Sequence, residues 1–206
     1  MSQLIRIVVF VGVLLIGGGA MAADPVVADS AAARLLADRV EGRKDAPVTI
    51  IDYSSLTCPH CAQFHMEVLP RIKKEFIDTG KVKLVFRDFP LDGVALAASM
   101  LARCVPEDMY FRFLDALFGS QAQWSKASNP RRSLSGLARL SGMTQEAVDG
   151  CLGNEALMKG IQAMKNEGHA QFGVDSTPTF IINGVKLPHV SSYEEIAKVL
   201  IPLVAK

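Results

Sequence analysis

Val48-Thr49-Ile50-Ile51-Asp52-Tyr53-Ser54-Ser55-Leu56-Thr57-Cys58-Pro59-His60-Cys61 reads as a strand that runs into a helix, with two cysteines at the junction. The run Val48-Thr49-Ile50-Ile51 is β-branched and apolar, the composition of a strand packed in a sheet. Polar Tyr53-Ser54-Ser55 and then Leu56-Thr57 lead into Cys58. Beyond it Phe64, Val68, Leu69, Ile72 and Phe76 recur at helical spacing, and Gly80 suits a C-terminal stop. Pro70 falls inside that pattern and is expected to kink the helix, because it has no N–H for the carbonyl of Met66.

Outward from this unit, Val82, Leu84 and Phe86 alternate with Lys81, Lys83 and Arg87, which predicts a strand. Residues 91–170 show only helical patterns, separated by Pro106, Gly119, Asn129-Pro130, Gly142 and Gly153. Strand character returns at Thr179-Phe180-Ile181-Ile182, and Asn183-Gly184 before Val185-Lys186-Leu187 predicts a hairpin. Ser191-Ser192-Tyr193-Glu194-Glu195 predicts a capping box that opens a last helix carrying Ile196, Val199, Leu200 and Leu203. Upstream, a short edge strand is expected near Leu35-Leu36. The order β–α–β, helical block, β–β–α specifies an α/β chain: a thioredoxin fold with an inserted α-helical domain. The expected division is a signal peptide at 1–22, an N-terminal extension at 23–46, the first part of the thioredoxin-like domain at 47–90, the helical insertion at 91–170 and its second part at 171–206.

With 206 residues, 50% of them hydrophobic and 21% charged, the chain can bury a full core and is not disordered. Twenty-two basic against 21 acidic residues give a net charge of +1, so no basic field exists to hold nucleic acid. Arg6, the apolar run from Ile7 to Ile16, Gly17-Gly18-Gly19 and the small-x-small Ala20-Met21-Ala22 read as an export signal cleaved after Ala22. Ten apolar residues are too few to span a bilayer, which takes about 20. Export places the four cysteines in an oxidising compartment. Cys58 and Cys61 form a C-x-x-C, whereas Cys104 and Cys151 stand apart. The first pair looks chemical and the second structural.

At a helix start, Cys58 meets backbone N–H groups without partners and the positive end of the macrodipole, both of which favour thiolate. Pro59 suits a first-turn position, and His60 adds an imidazole beside the sulfur. Cys61, one turn on, is placed to attack a mixed disulfide formed on Cys58, as thiol–disulfide exchange requires. A zinc site of Cys58, Cys61 and His65 would lack a fourth ligand. A c-type haem would need His where Ala62 stands. No metal and no cofactor are therefore expected. His65, His169 and His189 have no ligand spacing; Met100, Met109, Met143, Met158 and Met164 read as core, and Trp124 as a partly buried packing residue.

The stretch from Asp52 to Cys61, together with Gly173-Val174-Asp175-Ser176-Thr177-Pro178-Thr179-Phe180, resembles the DsbA family of periplasmic disulfide oxidases, in a variant similar to its alphaproteobacterial branch. The similarity runs over essentially the whole mature chain, and the tetrapeptide C-P-H-C is typical of the family. The resemblance implies a cis-proline at Pro178, facing the active-site sulfur, and a substrate-binding backbone edge at Thr177. It implies a buried acid at Asp52, able to take the proton of Cys61. Thr177 departs from the Val of the best-known members and is the residue common in isomerases, which bears on oxidising strength. The resemblance also implies that Cys104 and Cys151 form a second disulfide, the alternative being two buried free thiols.

The function expected is an exported thiol–disulfide oxidoreductase, working in the periplasm as a monomer on reduced or unfolded exported proteins. The resemblance implies reoxidation by a quinone-linked membrane partner of the DsbB type. The rivals are an isomerase or reductase of the same fold, and a peptide-binding chaperone with a merely structural disulfide. About two dozen residues ahead of the first strong strand are too few for the dimerisation domain of the periplasmic isomerases.

Overall fold

The computed structural model describes residues 32–188 and 192–205. The expected signal peptide, residues 23–31 of the N-terminal extension, His189 and Ser191 lie outside the described residues. A five-stranded sheet runs in the order β1-β3-β2-β4-β5: β1 Arg39–Glu41, β2 Val48–Ser54, β3 Val82–Asp88, β4 Thr179–Ile182 and β5 Val185–Lys186. Strands β2 and β3 are parallel, with Asp52 beside Phe86 and Ser54 beside Asp88; β2 and β4 are antiparallel, with Asp52 beside Phe180. A parallel pair needs a crossover, and the helical run over 59–77 supplies it.

The strand β2 continues three residues past the β-branched run, to Ser54, because Tyr53 is itself a core residue at 1% exposure. The edge strand expected near Leu35-Leu36 is displaced. Residues 32–36 are helical, as an Ala- and Leu-rich stretch favours, and the strand is Arg39–Glu41, paired antiparallel to Phe86, Val85 and Leu84. Pro70 does not end the helix either. Turns of α-helix at Pro59–Gln63 and Leu69–Ile72 alternate with π-helical turns at Phe64–Val68 and Lys73–Ile77. The N–H of Leu69 reaches back to the carbonyl of Phe64, so a widened turn just ahead of Pro70 absorbs its missing donor.

All regular structure between β3 and β4 is helical, from the helix Gly93–Cys104 to the long helix Glu155–Phe172. The long helix ends at Gly173, whose φ of 60° permits a left-handed cap, and it crosses the sheet at Gly168, where a Cβ would lie 2.5 Å from the Tyr53 ring. Asn183 and Gly184 both take positive φ in the β4–β5 hairpin, and Ser192 with Glu195 forms the capping box of the helix Tyr193–Val204. Among the described residues no helix is long and apolar enough to cross a membrane.

The helix 59–77 and the helix Tyr193–Val204 pack on one sheet face through Phe64, Ile72, Phe76, Ile196 and Leu200. A second core joins the helical block to the active-site loop. Within it Trp124 is fully buried rather than partly so, its Nε1–H donating to the Leu117 carbonyl at 2.7 Å. Met100 and Met164 are buried, while Met109, Met143 and Met158 lie partly buried against the same core. Cys104 and Cys151 are joined by a disulfide that ties Gly93–Cys104 to Gln145–Leu152.

A buried ion pair anchors this block to the sheet. Arg103, fully buried, donates Nε–H to Asp88 of β3 at 2.5 Å and Nη1–H groups to the carbonyls of Leu35 and Ala37. Removing one partner of such a pair strands the other charge in an apolar medium, which costs about 3–5 kcal/mol. Arg103→Met is therefore expected to lose about that much stability, read from urea midpoints at constant slope; a loss under about 1 kcal/mol would show that the pair does not anchor the block.

Candidate active site

Cys58 is the N-cap of the helix that begins at Pro59, with φ −78° and ψ 120° and no side-chain cap, and Pro59 occupies the first turn. The loop ahead of it is fixed from the helical block. Gln121, buried, donates its Nε2–H groups to the carbonyls of Leu56 at 2.8 Å and Cys58 at 3.0 Å. Thr57 Oγ1 donates to Asp92 at 2.7 Å, and Asp92 in turn caps Gly93–Cys104 through the N–H of Ala95. Sequence reasoning missed Gln121 and Asp92 as residues of this site. The capping signal at Asp92 was legible, but nothing local reports where Gln121 points.

The peptide bond Thr177–Pro178 is cis, and it brings the Thr177 carbonyl to 3.3 Å from the Cys58 sulfur, where it accepts the thiol hydrogen. The Thr177 hydroxyl is buried and meets no partner in hydrogen-bond geometry, yet it also biases Cys58 toward thiolate. Beside the cis bond a surface groove is lined by Ser176, Pro178, Lys186 and Leu187.

The two sulfurs are driven apart in acidity. The Cys58 thiol is lowered to about 5, first by the hydrogen bond from the Cys61 thiol, then by Thr177 and by the backbone N–H groups of Cys61 and His60, against a desolvation that opposes it. His60 is exposed and acts on the sulfur through its backbone, not its imidazole. Cys61 has no exposed surface; burial pushes its thiol well above the ordinary range, helped by Cys58 and by the charge of Asp52.

Asp52 is fully buried, and its charge acts on Cys61. Ser54 Oγ donates to its Oδ1 at 2.5 Å, and His65 Nε2 stands 2.9 Å from its Oδ2. Ser54 also opposes the upward shift of Cys61. His65 carried no recognisable signal in the sequence, since its partner Asp52 is 13 residues away on another element. Among the described residues no group of three His, Cys, Asp or Glu side chains could hold a metal ion. The disulfide Cys104–Cys151 lies in the helical block.

A family model described as Thioredoxin matches residues 35–201. A Rickettsia bellii protein, named among the protein-disulfide oxidoreductases, is 34% identical over 75% of this chain and 60% of its own length. The chain thus spans less than two thirds of that relative. The crystal structure of Wolbachia pipientis alpha-DsbA1 superposes with a TM-score of 0.75 at 34% identity, covering 82% of this chain and 91% of that one. A Novosphingobium aromaticivorans structure, described as a protein-disulfide isomerase, gives 0.72 at 25% identity, covering 82% and 98%.

Ultraviolet thiolate absorbance of the reduced protein should titrate near pH 5 for Cys58, and a midpoint above about 7 would contradict the site as described. Thr177→Val removes a hydroxyl that favours the thiolate while keeping the side-chain shape. It should move that midpoint upward with the fold intact, as judged by an unchanged urea midpoint of the oxidised form. An unmoved titration would show that the hydroxyl does not act on the sulfur.

Proposed function

The chain belongs to the DsbA family of thioredoxin-like proteins, and from that premise we propose that it is an exported thiol–disulfide oxidoreductase that introduces disulfides into substrate proteins. The observation that carries this reading is the opposed acidity of the two sulfurs, Cys58 lowered to about 5 and Cys61 raised by burial.

A substrate thiolate attacks the Cys58 sulfur of the oxidised pair; the Cys58–Cys61 bond breaks and the electron pair stays on Cys61, which takes up a proton. A second substrate thiolate then attacks the substrate sulfur of the mixed disulfide, and Cys58 leaves as a thiolate. Two electrons pass from the substrate dithiol to the protein. A thiol of low pKa is a fast leaving group, so the last step is favoured. Pro59 begins the helix whose N-terminal end carries the attacked sulfur, and Thr177 with Pro178 offers the groove edge on which an extended substrate would lie. The substrates are reduced exported proteins, met in the periplasm after removal of residues 1–22, and the protein acts as a monomer reoxidised by a quinone-linked membrane partner of the DsbB type. Asp52 takes the Cys61 proton, and Cys104–Cys151 serves structure alone.

Isomerase activity is the second reading, favoured by the threonine at 177 and by the likeness to the Novosphingobium protein described as an isomerase. The equilibrium of Cys58–Cys61 with glutathione separates the two: an oxidase should be more oxidising than the roughly −180 mV of an isomerase. Oxidised protein should convert a reduced two-cysteine peptide to its disulfide stoichiometrically, and Cys58→Ser should abolish this. Failure of the wild-type protein to oxidise the peptide would leave only a chaperone.

The redox states should also differ in stability with pH. The Cys58 pKa is depressed in the folded reduced form, so its contribution is complete above about pH 9, shrinks as pH falls, and is gone below about 5. At pH 7 it is on the order of 2–3 kcal/mol in favour of the reduced form. Urea midpoints of the two forms should diverge as pH rises from 5 to 9; parallel profiles would refute the thiolate account.

A further inference from the structure

A fully buried carboxylate cannot remain ionised without partners, because desolvation disfavours the charged form. Both oxygens of Asp52 are occupied, Oδ1 by the Ser54 hydroxyl and Oδ2 by His65 Nε2. His65 is 3% exposed. Its ring stacks on Phe118, centroids 4.2 Å apart and 25° between planes, and meets Phe64 and Phe86 edge-on. Nδ1 has no partner among the described residues. An imidazolium would bury an Nδ1–H with no acceptor, which is worse than leaving a neutral lone pair unmet. The ring is accordingly neutral, with its hydrogen on Nε2, where it donates to Asp52.

No cation takes this part among the described residues. Arg103 is committed to Asp88 on β3, and Arg39 to the Arg103 carbonyl and Glu107, above the ring of Tyr110. The remaining titratable groups around the pair are Cys58 and Cys61 on the active-site helix and Tyr110 from the helix Tyr110–Gly119. Within this set His65 is the donor that supports the Asp52 charge.

We propose that His65 is a positioning residue for the Cys61 proton: its Nε2–H holds Asp52 as the ionised acceptor. The assignment rests on the oxidoreductase reading and deepens it. When Cys61 resolves a mixed disulfide Cys58–S–S–R, its sulfur bonds to the Cys58 sulfur, the bond to R breaks, and RS⁻ leaves with the electron pair. The Cys61 proton passes to Asp52. When a substrate thiolate opens the oxidised pair, the same shift in reverse delivers the proton to Cys61.

The test follows reduced protein reacting with excess oxidised glutathione in stopped flow. The second phase, in which Cys61 closes the disulfide and releases glutathione, is measured across pH. His65→Leu should move the acid limb of that phase up by about one to two pH units, a ten- to hundredfold slowing at a fixed acid pH. His65→Gln keeps an N–H donor but cannot titrate, and should keep the wild-type profile. The Cys58 thiolate titration should stay in place in both. In an Asp52→Asn background, adding His65→Leu should change nothing further. Should His65→Leu fail to fold, His65→Asn replaces it: its amide stops short of Asp52, and the same shift is expected. An unshifted profile, an equal shift in His65→Gln, or a Cys58 titration that moves in step would overturn the assignment. Release by the wild type with a profile indifferent to His65 overturns this inference alone; no release at any pH overturns the oxidoreductase reading with it.

Discussion

The helix that starts at Cys58 has no side-chain cap, and the sulfur stands where a capping oxygen would. Free backbone N–H groups in the first turn therefore face a group whose charge they can stabilise only as thiolate. One turn further, the same helix dips into the core and takes Cys61 with it. Two identical side chains three residues apart are both buried, Cys58 at the helix end and Cys61 with no exposed surface, and one is lowered and the other raised in pKa. Most of what surrounds them serves to keep the helix end in that place.

The helical block does this from above. Gln121 donates to the loop carbonyls of Leu56 and Cys58, and Asp92 grips Thr57 while capping its own helix. That helix ends at Cys104, beside Arg103, which is bound to the sheet through Asp88. The block is therefore more than an insertion carried by the sheet, since it supplies polar contacts that hold the reactive loop. From below, β2 places Asp52 and Ser54 on one face, two residues apart, and the neighbouring β3 places Phe86 and Asp88 alongside. The aromatic rings of Phe64, Phe86 and Phe118 close around His65 and keep water from the pair.

Several elements were legible because their causes are local. Alternation marked β3, the Asn183-Gly184 pair marked its hairpin, and the spacing of Ser192 and Glu195 marked a capping box. At Pro70 the missing donor is met by a π-helical turn that depends on packing as much as on propensity. The edge strand misled: Leu35 and Leu36 are apolar, but pairing with β3 selects Arg39–Glu41 instead. Edge pairing is decided by the partner strand, and no local pattern encodes it.

By itself the sequence determined the strand–turn–helix unit, the C-x-x-C at its junction, the helical block between two sheet halves and, through a resemblance, the family. Those features follow from residue type and spacing over a few turns of chain. Only the tertiary structure decided that Asp52 is wholly buried, that His65 is its partner, that Gln121 holds the reactive loop and that Arg103 anchors the block. Each of these contacts joins residues 13 to 68 positions apart on different elements. Such pairs have no signature in the sequence, because what fixes them is the need to satisfy buried polar groups once the apolar faces have closed over them.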